Sequence, residues 1–172
     1  GIGSAVLNQL KDNDNIKTIY AFARSELDID DDKVITGPID ITDETTIEQA
    51  ANQIDGKLDM VFIATGILHE EGKLTPEKSA KDLETDMLAY SYRINAIAPA
   101  LIGKHFLPLM RDDRKSVFAA LSARVGSISD NNTIGGWYGY RSAKAALNMA
   151  LKNFSIEFGR KNKNLVVTGL QP

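Results

Sequence analysis

The chain is 172 residues long, with 43% apolar and 25% charged residues and a formal net charge of −3. That length suffices for one domain with a sizeable core, and a balanced charge without a long basic run argues against a nucleic-acid footprint. No apolar run approaches the roughly 20 residues of a membrane-spanning helix, and the lack of cysteine excludes disulfide and thiolate chemistry, as suits a reducing cytoplasm.

Gly1-Ile2-Gly3 leads into an expected helix whose apolar residues include Val6, Leu7 and Leu10. A helix that starts behind glycines offers free backbone N–H groups and the positive end of its dipole, which suits a pyrophosphate. Residues 16–23 are rich in β-formers and predict a strand ending in Arg24-Ser25. In dinucleotide folds the residue after the second strand reads the adenosine ribose. An acid there bonds a free 2′-hydroxyl, whereas an arginine accommodates a 2′-phosphate, so Arg24 points to NADP(H) rather than NAD(H). Residues 34–36 predict a further strand, followed by Asp40-Ile41-Thr42-Asp43 and a helix over about 44–54 that Thr42 or Asp43 can cap.

Residues 58–64 form a near-continuous apolar run, the mark of a strand buried on both faces of a parallel sheet. It ends in Ala64-Thr65-Gly66, small residues at a strand's carboxyl end, where ligands gather in open α/β sheets. A polar loop over about 69–78 precedes a long helical region over about 81–111, which Pro99 and Pro108 should kink or interrupt. Asn95 lies inside it, and a mid-helix amide needs either a solvent-facing place or a specific task. Residues 116–122 predict another buried strand, ending in Ser122, before a Gly/Asn-rich loop, a helix over about 137–160 and a last strand over 165–170. His69 and His105 have no ligand spacing between them, so no metal site is expected. The alternation of strand and helix predicts an α/β fold, a parallel sheet covered by helices on both faces, over a single domain of residues 1–172.

Within the stretch Tyr140-Arg141-Ser142-Ala143-Lys144, the tyrosine and the lysine are four apart and share one helix face. A phenol titrates near ~10 in water, and a fixed positive charge beside it favours the phenolate, so Lys144 is expected to lower the Tyr140 pKa. Trp137 and Tyr138 just before it can line an apolar pocket or pack against a neighbouring helix.

Taken together, Gly1-Ile2-Gly3, Ala64-Thr65-Gly66, Asn95 and Ser122 with Tyr140-x-x-x-Lys144 stand in the order of the short-chain dehydrogenase/reductase family. The segments Leu121-Ser122-Ala123-Arg124-Val125-Gly126-Ser127-Ile128 and Tyr140-Arg141-Ser142-Ala143-Lys144-Ala145-Ala146-Leu147-Asn148 resemble its C-factor/sniffer-type carbonyl reductase branch. The resemblance implies a Rossmann-like doubly wound parallel sheet that lacks its first strand and C-terminal part here, as in the middle of a longer polypeptide. It implies a carbonyl–alcohol oxidoreductase using NADP(H) and acting on a small molecule. Tyr140 would transfer the proton, Lys144 would bind the nicotinamide ribose, and Asn95 would hold a relay water. Asp40 and Ile41 would bracket the adenine, Ala64, Thr65 and Gly66 would line the cofactor ribose, and Pro172 would begin a turn beside the nicotinamide. The family also implies a homodimer or homotetramer paired through the helices that carry Asn95 and Tyr140.

One position departs from the family. Where two serines commonly end the strand, this chain has Ser122-Ala123, and alignment puts Ala123 at the catalytic position. Ser122 is the expected donor if the strand end kinks or its register shifts by one, with Ser127 as the alternative. A second reading of the whole chain, as a C-factor-like signalling or cofactor-binding protein with little catalysis, follows from the same resemblance.

Overall fold

The computed structural model describes residues 1–132 and 135–172. Thr133 and Ile134, in the expected Gly/Asn-rich loop, lie outside the described residues. The chain divides into two compact units, Gly1–Gly56 and Lys57–Pro172.

In the first unit, helix α1 (Ile2–Lys11) follows Gly1, whose position as N-cap brings no side-chain bond to the first turn. Strands β1 (Ile19–Ala23) and β2 (Val34–Pro38) pair in parallel, from Ile19 opposite Val34 to Ala23 opposite Pro38. Strand β1 starts later than the sequence suggests because Ile16 closes a turn, its N–H bonding the Asn13 carbonyl at 3.0 Å. Helix α2 (Glu44–Asn52) is capped by Asp43, whose carboxylate accepts from Thr45 N at 2.9 Å. Its buried residues Ile47, Ala50 and Ala51 recur at helical spacing, so burial supplies what the short helix lacks in propensity.

In the second unit, β3 (Met60–Ile63), β4 (Ser116–Leu121) and β5 (Leu165–Leu170) pair in parallel in that order. Parallel neighbours need crossovers, and these are helical. The first crossover is the helical region expected over about 81–111, divided into several pieces. It opens with a 3₁₀ turn, Ala80–Asp82, in which Ser79 and Asp82 cap each other, and Leu83 then turns extended at ψ 124°. Helix α3 (Thr85–Tyr92), a π-helical turn (Arg93–Ile97) and α4 (Ala98–Phe106) follow. Pro99 sits in the first turn of α4, directly after the π-helical turn, and Pro108 falls in the closing 3₁₀ turn Leu107–Leu109.

The second crossover is α5 (Tyr138–Gly159), which buries Ala143, Leu147 and Leu151 along one stripe. Phe118 of β4, fully buried, meets Phe154 of α5 edge to face at 6.4 Å. Parallel strands with helical crossovers define the Rossmann-like α/β class that the alternation predicted. Among the described residues, no helix is long and apolar enough to cross a membrane.

Candidate active site

Ala64-Thr65-Gly66 leave the end of β3, Ser122 leaves the end of β4, and Tyr140 lies in the first turn of α5. The carboxyl ends of parallel strands thus bring the candidates of the second unit to one edge of its sheet.

Lys144 is 2% exposed, and its Nζ donates to the carbonyl of Leu121, the last residue of β4, at 2.8 Å. The same atom lies 5.6 Å from the Tyr140 ring centroid. Asn95, in the π-helical turn, is fully buried. Its Oδ1 accepts from Ile67 N at 3.0 Å, and its Nδ2 donates to Ile67 O at 2.8 Å and Ser91 O at 3.1 Å. The amide thereby clamps the segment after β3 to the helix, which is the specific task its position called for. A π-helical turn is a recurrent device at functional sites. A Cβ added to Gly66 would fall 3.2 Å from Lys144 Nζ and 3.4 Å from Asn95 Oδ1. Gly66, Asn95, Tyr140 and Lys144 therefore converge.

The electrostatics of the pair differ from the expectation. Burial pushes the Tyr140 phenol up, above its usual value, and pulls Lys144 down to about 8. Desolvation penalises the charged form of both groups, and the ammonium that was expected to lower the phenol is itself weakened. Tyr140 is half-buried and holds its proton through the neutral range.

Ser122 is 4% exposed, and its hydroxyl donates to Asn148 Oδ1 at 2.6 Å. Ser127 Oγ lies 3.1 Å from Ser129 Oγ and accepts from Asp130 N at 3.3 Å. Ser127 also lines a cavity of about 440 Å³ with Ile128, Tyr138, Arg141 and Ser142, a cavity to which Tyr140, Lys144 and Asn95 do not contribute. Trp137 and Tyr138 remain 39% and 41% exposed.

The other expected cofactor residues stand as follows. Gly1, Ile2 and Gly3 form the start of α1, and Arg24 is exposed just past β1. Asp40 Oδ1 accepts from the backbone and hydroxyl of Thr42 at 2.9 and 2.7 Å, and Ile41 is half-buried beside it. Pro172 is exposed after β5. Among the described residues, no cluster of three or more His, Cys, Asp or Glu could hold a metal ion.

Two features of this edge fit a hydroxyl-bearing ligand such as a nucleotide ribose. Thr65 Oγ1 is buried with no hydrogen-bond partner among the described residues, and Gly66 leaves open the space a Cβ would fill beside Lys144. Sequence reasoning assigned nothing to Asn148 or to Glu77, which is 4% exposed. Asn148 carried a usable signal, since it follows Lys144 by four residues on the same helix face. Glu77 carried none, because its partner Gly139 lies 62 residues away.

The profile described as enoyl-(acyl carrier protein) reductase matches residues 6–169. The chain belongs to the short-chain dehydrogenase/reductase family, a family of oxidoreductases. Among its relatives is 1-hydroxy-2-glutathionyl-2-methyl-3-butene dehydrogenase of Rhodococcus sp. (strain AD45), 30% identical over 75% of this chain and 54% of its own. Benzil reductase ((S)-benzoin forming) of Bacillus subtilis (strain 168) is 25% identical over 91% of this chain and 63% of its own. The C-signal of Myxococcus xanthus is 37% identical over 44% of this chain and 45% of its own. The chain thus matches only 45–63% of the length of these relatives. In fold it is similar to the carbonyl reductase Sniffer of D. melanogaster, with a TM-score of 0.84 at 19% identity, covering 100% of this chain and 76% of that one. It is also similar to the NADPH-bound carbonyl reductase from chicken fatty liver, with a TM-score of 0.77 at 21% identity, covering 100% and 71%.

Proposed function

We propose that this chain carries the cofactor-binding and catalytic residues of an NADP(H)-dependent carbonyl reductase, with Tyr140 as the acid–base group. The observation that carries this reading is the buried cluster of Lys144, Asn95 and Gly66 against the Tyr140 ring, at the carboxyl ends of β3 and β4. A structural helix turn has no use for a fully desolvated lysine beside a half-buried phenol. An acid–base site does.

In this reading Lys144 and Thr65 hold the nicotinamide ribose, Gly66 and Ala64 let it approach, and Pro172 flanks the nicotinamide. Gly1, Ile2 and Gly3 receive the pyrophosphate, Asp40 and Ile41 flank the adenine, and Arg24 pairs with the 2′-phosphate. When bound, NADPH supplies the hydride that the carbonyl carbon accepts. Tyr140 gives its phenolic proton to the carbonyl oxygen, yielding the alcohol, and takes a proton back when an alcohol is oxidised. The phenol carries its proton at neutral pH, as a donor must. Lys144 restores that proton from solvent by way of a water held at Asn95. Ser122 is the proposed hydroxyl donor to the carbonyl oxygen, exchanging its bond to Asn148 for one to substrate, with Ser127 as the alternative. Residues 1–172 are proposed to belong to a single nucleotide-binding domain, in a cytoplasmic homodimer or homotetramer.

The names of the chicken carbonyl reductase, with its NADPH, and of the B. subtilis benzil reductase support the coenzyme and the carbonyl chemistry. The test is NADPH consumption by the full-length protein against a panel of ketones, aldehydes and aromatic diketones. Turnover with at least one class is expected, and failure across the panel with NADPH demonstrably bound would contradict the reading. The 37% identity with the C-signal favours a second reading, a signalling protein that binds the cofactor and turns little over.

A further inference from the structure

Helix α5 starts without a cap of its own. Trp137, at its N-cap, has φ 49° and ψ 45° and lends no side-chain bond to the first turn. It follows Gly135 at φ 61° and Gly136 at φ 68°. A left-handed backbone is costly for a bulky L residue, so contacts from elsewhere must hold this turn.

Those contacts come from Glu77. It is 4% exposed, and its carbonyl accepts from Trp137 N at 2.6 Å. Its carboxylate oxygens stand 3.3 and 3.2 Å from Gly139 N, which donates to both. A Cβ on Gly139 would fall 2.9 Å from Glu77 Oε1, so only a glycine there lets the carboxylate reach the backbone. A carboxylate at a helix N-terminus satisfies an orphan N–H and is favoured by the dipole. The residue after Gly139 is Tyr140.

We propose that Glu77 is a positioning residue for Tyr140: bonded to the Gly139 N–H, its carboxylate fixes the first turn of α5 and so the place of the phenol against Lys144. The inference rests on the reading of Tyr140 as the acid–base group, and it adds a residue from outside the motif. Displacing a reacting group by about 1 Å can cost on the order of 10²-fold in rate.

The test uses the full chain with tyrosine isotope-labelled at Cζ, the Tyr140 resonance being assigned with Tyr140→Phe. In Glu77→Ala the Tyr140 resonance should shift or broaden, and its pKa should fall toward the ~10 of a free phenol as water reaches the loosened turn. Glu77→Gln keeps one acceptor oxygen and should restore most of the wild-type behaviour. Gly139→Ala, which pushes the carboxylate away while leaving Glu77 in place, should reproduce the Glu77→Ala shift, and it decides the matter if Glu77→Ala does not fold. With a reducible carbonyl, Glu77→Ala should lose roughly 10–100-fold in kcat, keep its NADPH affinity within about threefold, and show a larger solvent isotope effect on kcat. A lower folded fraction alone would leave that isotope effect unchanged. A folded Glu77→Ala or Gly139→Ala protein with wild-type Tyr140 resonance and titration overturns the proposal. A Tyr140 response in a protein that reduces no carbonyl would leave the positioning role standing and remove the reductase reading.

Discussion

At Lys144 an amine is enclosed at 2% exposure with one carbonyl partner and a ring face beside it. Its pKa falls from 10.5 to about 8 because burial penalises the ammonium. Between those values an unfolded Lys144 binds more proton than the folded one, so its contribution to stability should rise with pH from about 8, until the raised phenol of Tyr140 opposes it above about 10. In Lys144→Met that rise should vanish, which chemical denaturation at several pH values would measure; an unchanged slope would show that another group causes it. The pairing of Tyr140 and Lys144 was legible from their spacing alone. The direction of the phenol's shift was not, because desolvation depends on packing that no local spacing encodes. Ser122 makes the same point, since its partner Asn148 lies 26 residues on. Ser122→Ala is expected to cut kcat about 10²-fold, as loss of one oxyanion donor does, beyond a stability loss of about 1 kcal/mol from the missing bond. A variant that loses stability but keeps kcat would move the donor role to Ser127.

Among the elements, the buried strands were the most legible. The apolar run over β4 announced a strand enclosed in a parallel sheet, whereas β3, read the same way, pairs on one side only among the described residues and buries only Ile63. The region between them was not legible, because α3, the π-helical turn and α4 share one apolar pattern. Their boundaries depend on the Ser79–Asp82 cap and on the Asn95 clamp, which are side-chain events. The approach of α4 to α5 rests on Gly103, where an added Cβ would fall 2.7 Å from Phe154 Cζ and closer still to Cε2. Gly103→Ala should therefore force the ring away from Phe118 and Phe158 and lower stability by about 1–3 kcal/mol. A denaturation midpoint equal to that of the parent would show that the ring swings aside without cost.

For the whole molecule, the family was legible because its marks fall in order along the chain, each in the strand or helix context it needs. Coenzyme choice belongs to this scale, since Arg24 is proposed to meet the 2′-phosphate of NADP(H). Arg24→Asp should weaken NADPH binding far more than NADH binding, because it replaces a charge-assisted phosphate contact with repulsion. Equal losses in a fluorescence titration would remove Arg24 from the 2′-phosphate. The central claim is that Tyr140 transfers the proton, and one comparison tests it directly: NADPH consumption with the same carbonyl substrate by the wild type and by Tyr140→Phe. The substitution keeps the ring that Lys144 Nζ faces at 5.6 Å and removes only the hydroxyl. The expected result is near-complete loss of turnover with the fold and most NADPH binding intact, and substantial turnover by Tyr140→Phe with NADPH bound normally would contradict it.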